Sequence, residues 1–93
     1  MLSVRYSKQF KKDLARMMKR KDFKKAKFER VVGMLADRET LPPRCHDHAL
    51  ENSRNYQNLR ECHIGPDWLL VYRIEDDVLT LFLARTGTHS DLF

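Results

Sequence analysis

Cysteine, proline and glycine are all scarce in this 93-residue chain. Two cysteines, Cys45 and Cys62, are too few for a disulfide framework and suit free thiols in a reducing compartment. With only three prolines and three glycines, the breaks they impose at "LPP" (41–43) and "IGPD" (64–67) stand out, and no linker or repeat interrupts the chain. No apolar run reaches the roughly 18 residues that a transmembrane helix needs. The opening "MLSVRYSKQF" lacks the basic, apolar, small-residue order of a secretory signal. A cytoplasmic protein is expected. Hydrophobic residues at 42% and charged residues at 33% fit a globular domain and argue against disorder, and the length leaves room for one domain over residues 1–93 with one small core.

Acidic residues are scarce where basic ones crowd. Residues 1–30 carry 12 basic and 3 acidic side chains, a balance of +9, whereas the remaining 63 residues carry 6 basic and 10 acidic, a balance of −4. Such asymmetry points to a polyanion or an acidic protein as partner, unless the lysines merely solvate a helical face.

The coarse elements follow from periodicity. A short strand is expected at 2–6, then a turn at Ser7 that suits an N-cap. Phe10, Leu14, Met17 and Met18 then form one helical stripe. A second helix, with Asp22 as its expected cap, carries Phe28, Val31, Val32 and Leu35 before "DRETLPP" breaks it. After a loop of about a dozen residues come three strand-like segments, "YQNLRECHI", "WLLVYRI" and "VLTLFLA", whose short connections imply antiparallel neighbours. The expected fold class is α+β: an N-terminal strand and a two-helix hairpin packed on one face of an antiparallel sheet completed by a three-stranded meander, with the other face open.

Residues able to do chemistry are confined to the second half: His46, His48, His63, Asp67, Trp68, Arg85, His89 and Phe93. Two imidazoles, a carboxylate and an arginine, without a metal, suit cleavage of RNA by its own 2′-hydroxyl. One group takes the 2′-OH proton, another protonates the leaving 5′-oxygen, and a guanidinium stabilises charge on the phosphate. Histidine serves both transfers near neutral pH, and arginine's planar fork fits phosphate oxygens. An exposed Trp68 would give an unstacked base a surface to lie on. Each residue also has a structural reading: Asp67 as a turn-stabilising Asx residue, Trp68 as core, Arg85 in a surface ion pair, Phe93 at a fraying end.

"DHAL" (47–50), "RECHIGPDWLLVYRI" (60–74) and "ARTGTHSDLF" (84–93) together resemble the YafQ branch of the RelE/ParE superfamily of bacterial toxins. The resemblance implies an mRNA interferase that cuts messenger RNA in the A site of the 70S ribosome, without a cofactor, and is held inactive by a cognate antitoxin. Matched residue by residue, it puts catalytic roles on His48, His63, Asp67, Arg85 and His89, with His89 as general acid and Arg85 on the scissile phosphate. Which of His48, His63 and Asp67 takes the 2′-OH proton stays open. Trp68 and Phe93 match aromatic positions that shape the site, and the basic helices, through Lys11, Lys12, Lys24 and Lys25, match a ribosome-docking surface. Where the family often reads Lys-Asp-His-Pro-Leu, this chain has His46, Asp47, His48, Ala49 and Leu50, so His46 is an unmatched extra. By analogy the toxin is a monomer when free and forms a heterotetramer with its antitoxin. Two other readings are a non-catalytic binding module like the superfamily members that poison gyrase, and a zinc site built from "CHDH" and "CH", whose adjacent Cys-His pairs do not match the usual ligand spacing.

Overall fold

Ser7 separates two elements and is bonded to a third. In a computed structural model of the chain, which describes residues 1–50 and 59–92, strand β1 (Ser3–Tyr6) ends where Ser7 caps helix α1 (Lys8–Met17). The Ser7 hydroxyl accepts from the Phe10 amide at 2.8 Å, as an N-cap should, and donates to the Ala84 carbonyl at 2.7 Å. Phe10 and Met17 are buried and Leu14 partly so, as the stripe predicts, but Met18, the C-cap residue, is exposed.

Helix α2 (Lys25–Ala36) starts later than expected. Its N-cap residue is Lys24, with no capping side chain, and Asp22 instead pairs with Arg20 at 3.0 Å. Val31 and Leu35 are buried as the spacing requires. A 3₁₀ turn over Pro43–Cys45 follows, then a two-residue strand β2 (His48–Ala49) inside the stretch expected to be loop. Strands β3 (Arg60–Gly65), β4 (Trp68–Glu75) and β5 (Thr80–Gly87) complete the sheet. The expected start of β3 near Tyr56 lies outside the described residues. The last strand begins later and runs further than "VLTLFLA", because Asp76–Val78 form a 3₁₀ turn. A short helix α3 (His89–Leu92), which the periodicity did not signal, follows directly.

Among the described residues the sheet has five strands in the order β1-β5-β4-β3-β2, and it is mixed. The β2–β3, β3–β4 and β4–β5 pairs are antiparallel, as the short turns demand, whereas β1 joins β5 in parallel. The parallel pair joins the two ends of the chain: both helices and strands β2–β4 lie between β1 and β5, far more than the dozen or so residues that parallel neighbours require.

The expectation of one open sheet face is corrected. One face packs Leu70, Tyr72, Leu81 and Leu83 against Phe10, Met17, Val31 and Leu35 of the helices. The opposite face carries a smaller cluster of Leu59, Leu69, Val71 and Leu92, with Leu50 and Ala84 against it. An unbroken apolar run in β4, Trp68–Tyr72, is the signature of a strand covered on both sides.

Candidate active site

The alternation of β5 breaks just before the residue that matters most. Leu81 and Leu83 face the helices, so a regular strand would turn Arg85 into the same core. Instead Tyr72 pairs with Leu83 while its neighbour Val71 pairs with Arg85, which leaves Ala84 as the extra residue of a β-bulge. The bulge shifts the phase. Thr86 now faces the helix side, where it is fully buried, accepts from the Trp68 indole at 2.9 Å and donates to the Leu69 carbonyl at 2.7 Å. Arg85 falls in a cross-strand row with Val71, Glu61 and His48, and His63, Leu69 and Gly87 make the next row.

Helix α1 holds this bulge. Ser7 binds the Ala84 carbonyl, and Asp13, wholly buried, receives the Thr86 amide at 3.3 Å and the Arg85 guanidinium at 2.7 and 3.2 Å. Gln9 and Arg16 also donate to the same carboxylate. Burial resists the charge on Asp13, but these donors outweigh it and hold its carboxyl below the usual range. Arg85 retains 27% side-chain exposure, so the ion pair with Asp13 does not bury the guanidinium.

The imidazoles gather on the same face. His63 lies edge-on to His46 at 5.3 Å and to His89 at 5.6 Å between ring centres. Glu61, only 9% exposed, stands 4.0 Å from His63 Nε2 and 3.8 Å from His48 Nε2. Burial is the main influence lowering the His63 pKa, and the other three histidines add to it; Glu61 opposes them. His63 is therefore neutral at neutral pH. His48 has its Nδ1 2.7 Å from the His46 carbonyl. Behind it, Asp47 is tied to Tyr72 Oη at 2.5 Å and to Arg60 at 3.2 Å, which fixes the short strand β2 from the helix side.

Asp67, in the two-residue turn between β3 and β4, accepts from the His89 amide at 3.0 Å and lies 2.8 Å from its Nδ1. These bonds to His89 hold the Asp67 carboxyl below its ordinary value. They also fix the ring and leave Nε2 as the nitrogen for a substrate, the orientation a carboxylate gives a catalytic histidine. Gly87 makes the approach of α3 feasible. Its φ of +154° disfavours other residues, and a Cβ there would meet Asp91 Cβ at 3.0 Å.

The structure thus brings together His46, His48, His63, Asp67 and His89, with Arg85 in the same set of rows. Trp68 is not the exposed stacking surface expected of it. It is 3% exposed on the helix side, its ring 5.1 Å from Phe23 and 6.3 Å from Phe28, and its role is packing. Phe93 lies outside the described residues. Lys11, Lys12, Lys24 and Lys25 are exposed on or beside the two long helices, away from the imidazoles in sequence and element. Sequence reasoning missed Glu61 and Asp13. Glu61 was signalled only by its i,i+2 spacing from His63, which puts both on one strand face. Asp13 was signalled by its place inside the Phe10–Met17 stripe. Among the described residues no three His, Cys, Asp or Glu side chains converge as a metal site, so the zinc reading has no ligand set there. No helix among them is long and apolar enough to cross a membrane.

A family model for the bacterial toxin of the type II toxin-antitoxin system, YafQ, matches residues 2–93. The mRNA interferase toxin YafQ of Escherichia coli (strain B / BL21-DE3) is 37% identical over 91 residues, covering 97% of this chain and 94% of that protein. Among solved structures, a metal-bound toxin from Helicobacter pylori superposes with a TM-score of 0.90 at 44% identity, covering all of both chains. YafQ in the E. coli DinJ-YafQ complex superposes with a TM-score of 0.85 at 33% identity, covering 100% of this chain and 99% of that one.

Proposed function

The chain belongs to the YafQ family of toxins from bacterial type II toxin-antitoxin systems, and on that premise we propose that it is an endoribonuclease that cuts messenger RNA by general acid–base catalysis. His63 takes the proton from the 2′-hydroxyl, whose oxygen attacks the adjacent phosphorus. His89, oriented by Asp67, gives a proton from Nε2 to the departing 5′-oxygen, leaving a 2′,3′-cyclic phosphate and a free 5′-hydroxyl. Arg85 stabilises the negative charge that grows on the phosphate oxygens. Glu61 and His48 set the polarity around His63.

The observation that carries this reading is the pairing of two imidazoles in different surroundings. Burial of His63 favours the uncharged form that a base needs, while 5.6 Å away His89 has its Nδ1 fixed by the Asp67 carboxylate, which leaves Nε2 to face the departing oxygen. Four side chains supply every proton and charge the reaction needs, so toxin treated with a chelator and then freed of it is expected to cut at the same rate as untreated toxin.

Cutting takes place on the ribosome, with Lys11, Lys12, Lys24 and Lys25 docking to ribosomal RNA, a dense polyanion. A cognate antitoxin, as DinJ partners YafQ in E. coli, neutralises the toxin in a heterotetramer. The deciding experiment is His89→Ala. Growth arrest and mRNA cleavage should both vanish; arrest that persists without cleavage would mean a toxin acting by occupancy alone.

A further inference from the structure

A cavity of about 490 Å³ opens beside the catalytic cluster, between α2, the Pro43–Cys45 turn and the end of β3. Its apolar surface comes from Val31, Cys45 and Ile64, all below 9% exposed. Three cations border it: Lys27 and Arg30 from α2, and Arg44 from the turn. None of the three is in an ion pair with a described residue. Elsewhere charges do pair, as Lys25 with Glu29 on α2 and Arg20 with Asp22 between the two helices. His63 and His46 line the cavity too, so the proposed proton acceptor belongs both to the catalytic cluster and to this pocket.

An apolar floor with an uncompensated cationic rim fits a ligand with a flat, weakly polar part and an anionic part. Arginine forks favour phosphate, and single-stranded nucleic acid is held by such pairing of basic groups with base-covering surfaces. The volume falls in the range of about 300 to 1,000 Å³ typical of small-ligand pockets. A strand of RNA placed with its reacting 2′-hydroxyl at His63 has only to continue past that ring to enter the cavity.

We propose that this cavity is a nucleotide subsite: it holds one residue of the RNA next to the cleaved bond, its base over Val31 and Ile64 and its phosphate among Lys27, Arg30 and Arg44. The subsite rests on the ribonuclease reading and extends it to how the substrate is gripped. An acidic peptide would use the cations but would leave the apolar floor and the shared His63 without purpose.

The test is a titration of the full chain with a trinucleotide RNA carrying 2′-O-methyl groups, which cannot be cleaved, read by NMR at the methyl groups of Val31 and Ile64. Both should shift. In the triple variant Lys27→Ala, Arg30→Ala, Arg44→Ala, affinity should fall at least about tenfold, with a salt dependence shallower by about 0.7 in log–log slope, for the one phosphate no longer neutralised. All three side chains are exposed, so a thermal melt should match that of the parent. Shifts confined to His48, Asp67 and His89, or an unchanged affinity in the triple variant, would overturn the subsite. So would a polyglutamate peptide that shifts Val31 and Ile64 where the RNA does not. The two readings part cleanly: pocket binding by a parent protein that cuts no mRNA refutes the nuclease alone, whereas full cleavage by the triple variant refutes the subsite alone.

Discussion

Replacing Asp13 with asparagine keeps the shape of the side chain and removes the charge that Arg85, Arg16 and Gln9 all address. Hydrogen bonds to a charged group contribute about 1.5–3 kcal/mol each, and removing one partner of a buried ion pair costs about 3–5 kcal/mol. Because Arg85 keeps 27% exposure and can regain water, a loss at or just below the lower end of the ion-pair range, about 2–3 kcal/mol, is expected. A domain of this size has about 5–15 kcal/mol in total, so the variant should fold, with its melting temperature lowered by roughly 10 to 20 °C. The loss should also depend on pH. A carboxyl whose folded pKa is depressed adds stability above its unfolded pKa, near 4, and that contribution disappears as pH falls through the lower folded value. The parent–variant difference should therefore be full at neutral pH and shrink in acid below about pH 4. Cleavage should suffer separately. With the bulge unpinned Arg85 loses its aim, and kcat, measured well below the melting temperature, should fall about 10- to 100-fold while KM changes little. A variant that melts early yet cleaves at the parental rate would refute the positioning role, and a variant that cleaves faster would show that Asp13 restrains Arg85 instead.

Arg85→Ala should lower cleavage by about 10²- to 10³-fold and leave ribosome association nearly intact in sedimentation assays; loss of both together would make its role structural. Charge reversal at Lys11, Lys12, Lys24 and Lys25 should weaken ribosome binding and flatten its salt dependence, and affinity indifferent to both would refute the docking surface. Glu61→Gln removes a neighbouring charge that raises the His63 pKa, so the acid limb of the kcat/KM profile should move to lower pH. A limb that stays in place would assign the base to another group.

Much of the fold was readable because the periodicities were clean. Phe10, Leu14 and Met17 marked a helix face, and "IGPD" marked a hairpin whose strands carry His63 on one side and lead from Asp67 into β4 on the other. What could not be read depended on phase and on distant partners. The run "WLLVY" is apolar at every position, so nothing in it said that Trp68 faces the helices, and the indole proved to be core. A bulge adds one residue without changing composition, so the shift of Arg85 into the row of Val71, Glu61 and His48 left no mark. The parallel β1–β5 pair joins segments with no local signal of each other. Asp13 left the clearest trace, a charge inside an apolar stripe, and its reason became visible only with its partners 72 and 73 positions away.

Those separations bear on when the protein becomes dangerous. Contacts that close large loops of chain form late, after local hairpins, since their entropy must be spent before they return anything. The β3–β4 hairpin sets His63 beside Asp67 early and cheaply, whereas the arginine is aimed only once α1 docks against β5. A half-folded molecule would thus carry the proposed proton acceptor before the cation is poised, and toxicity would arrive with the last long-range closure.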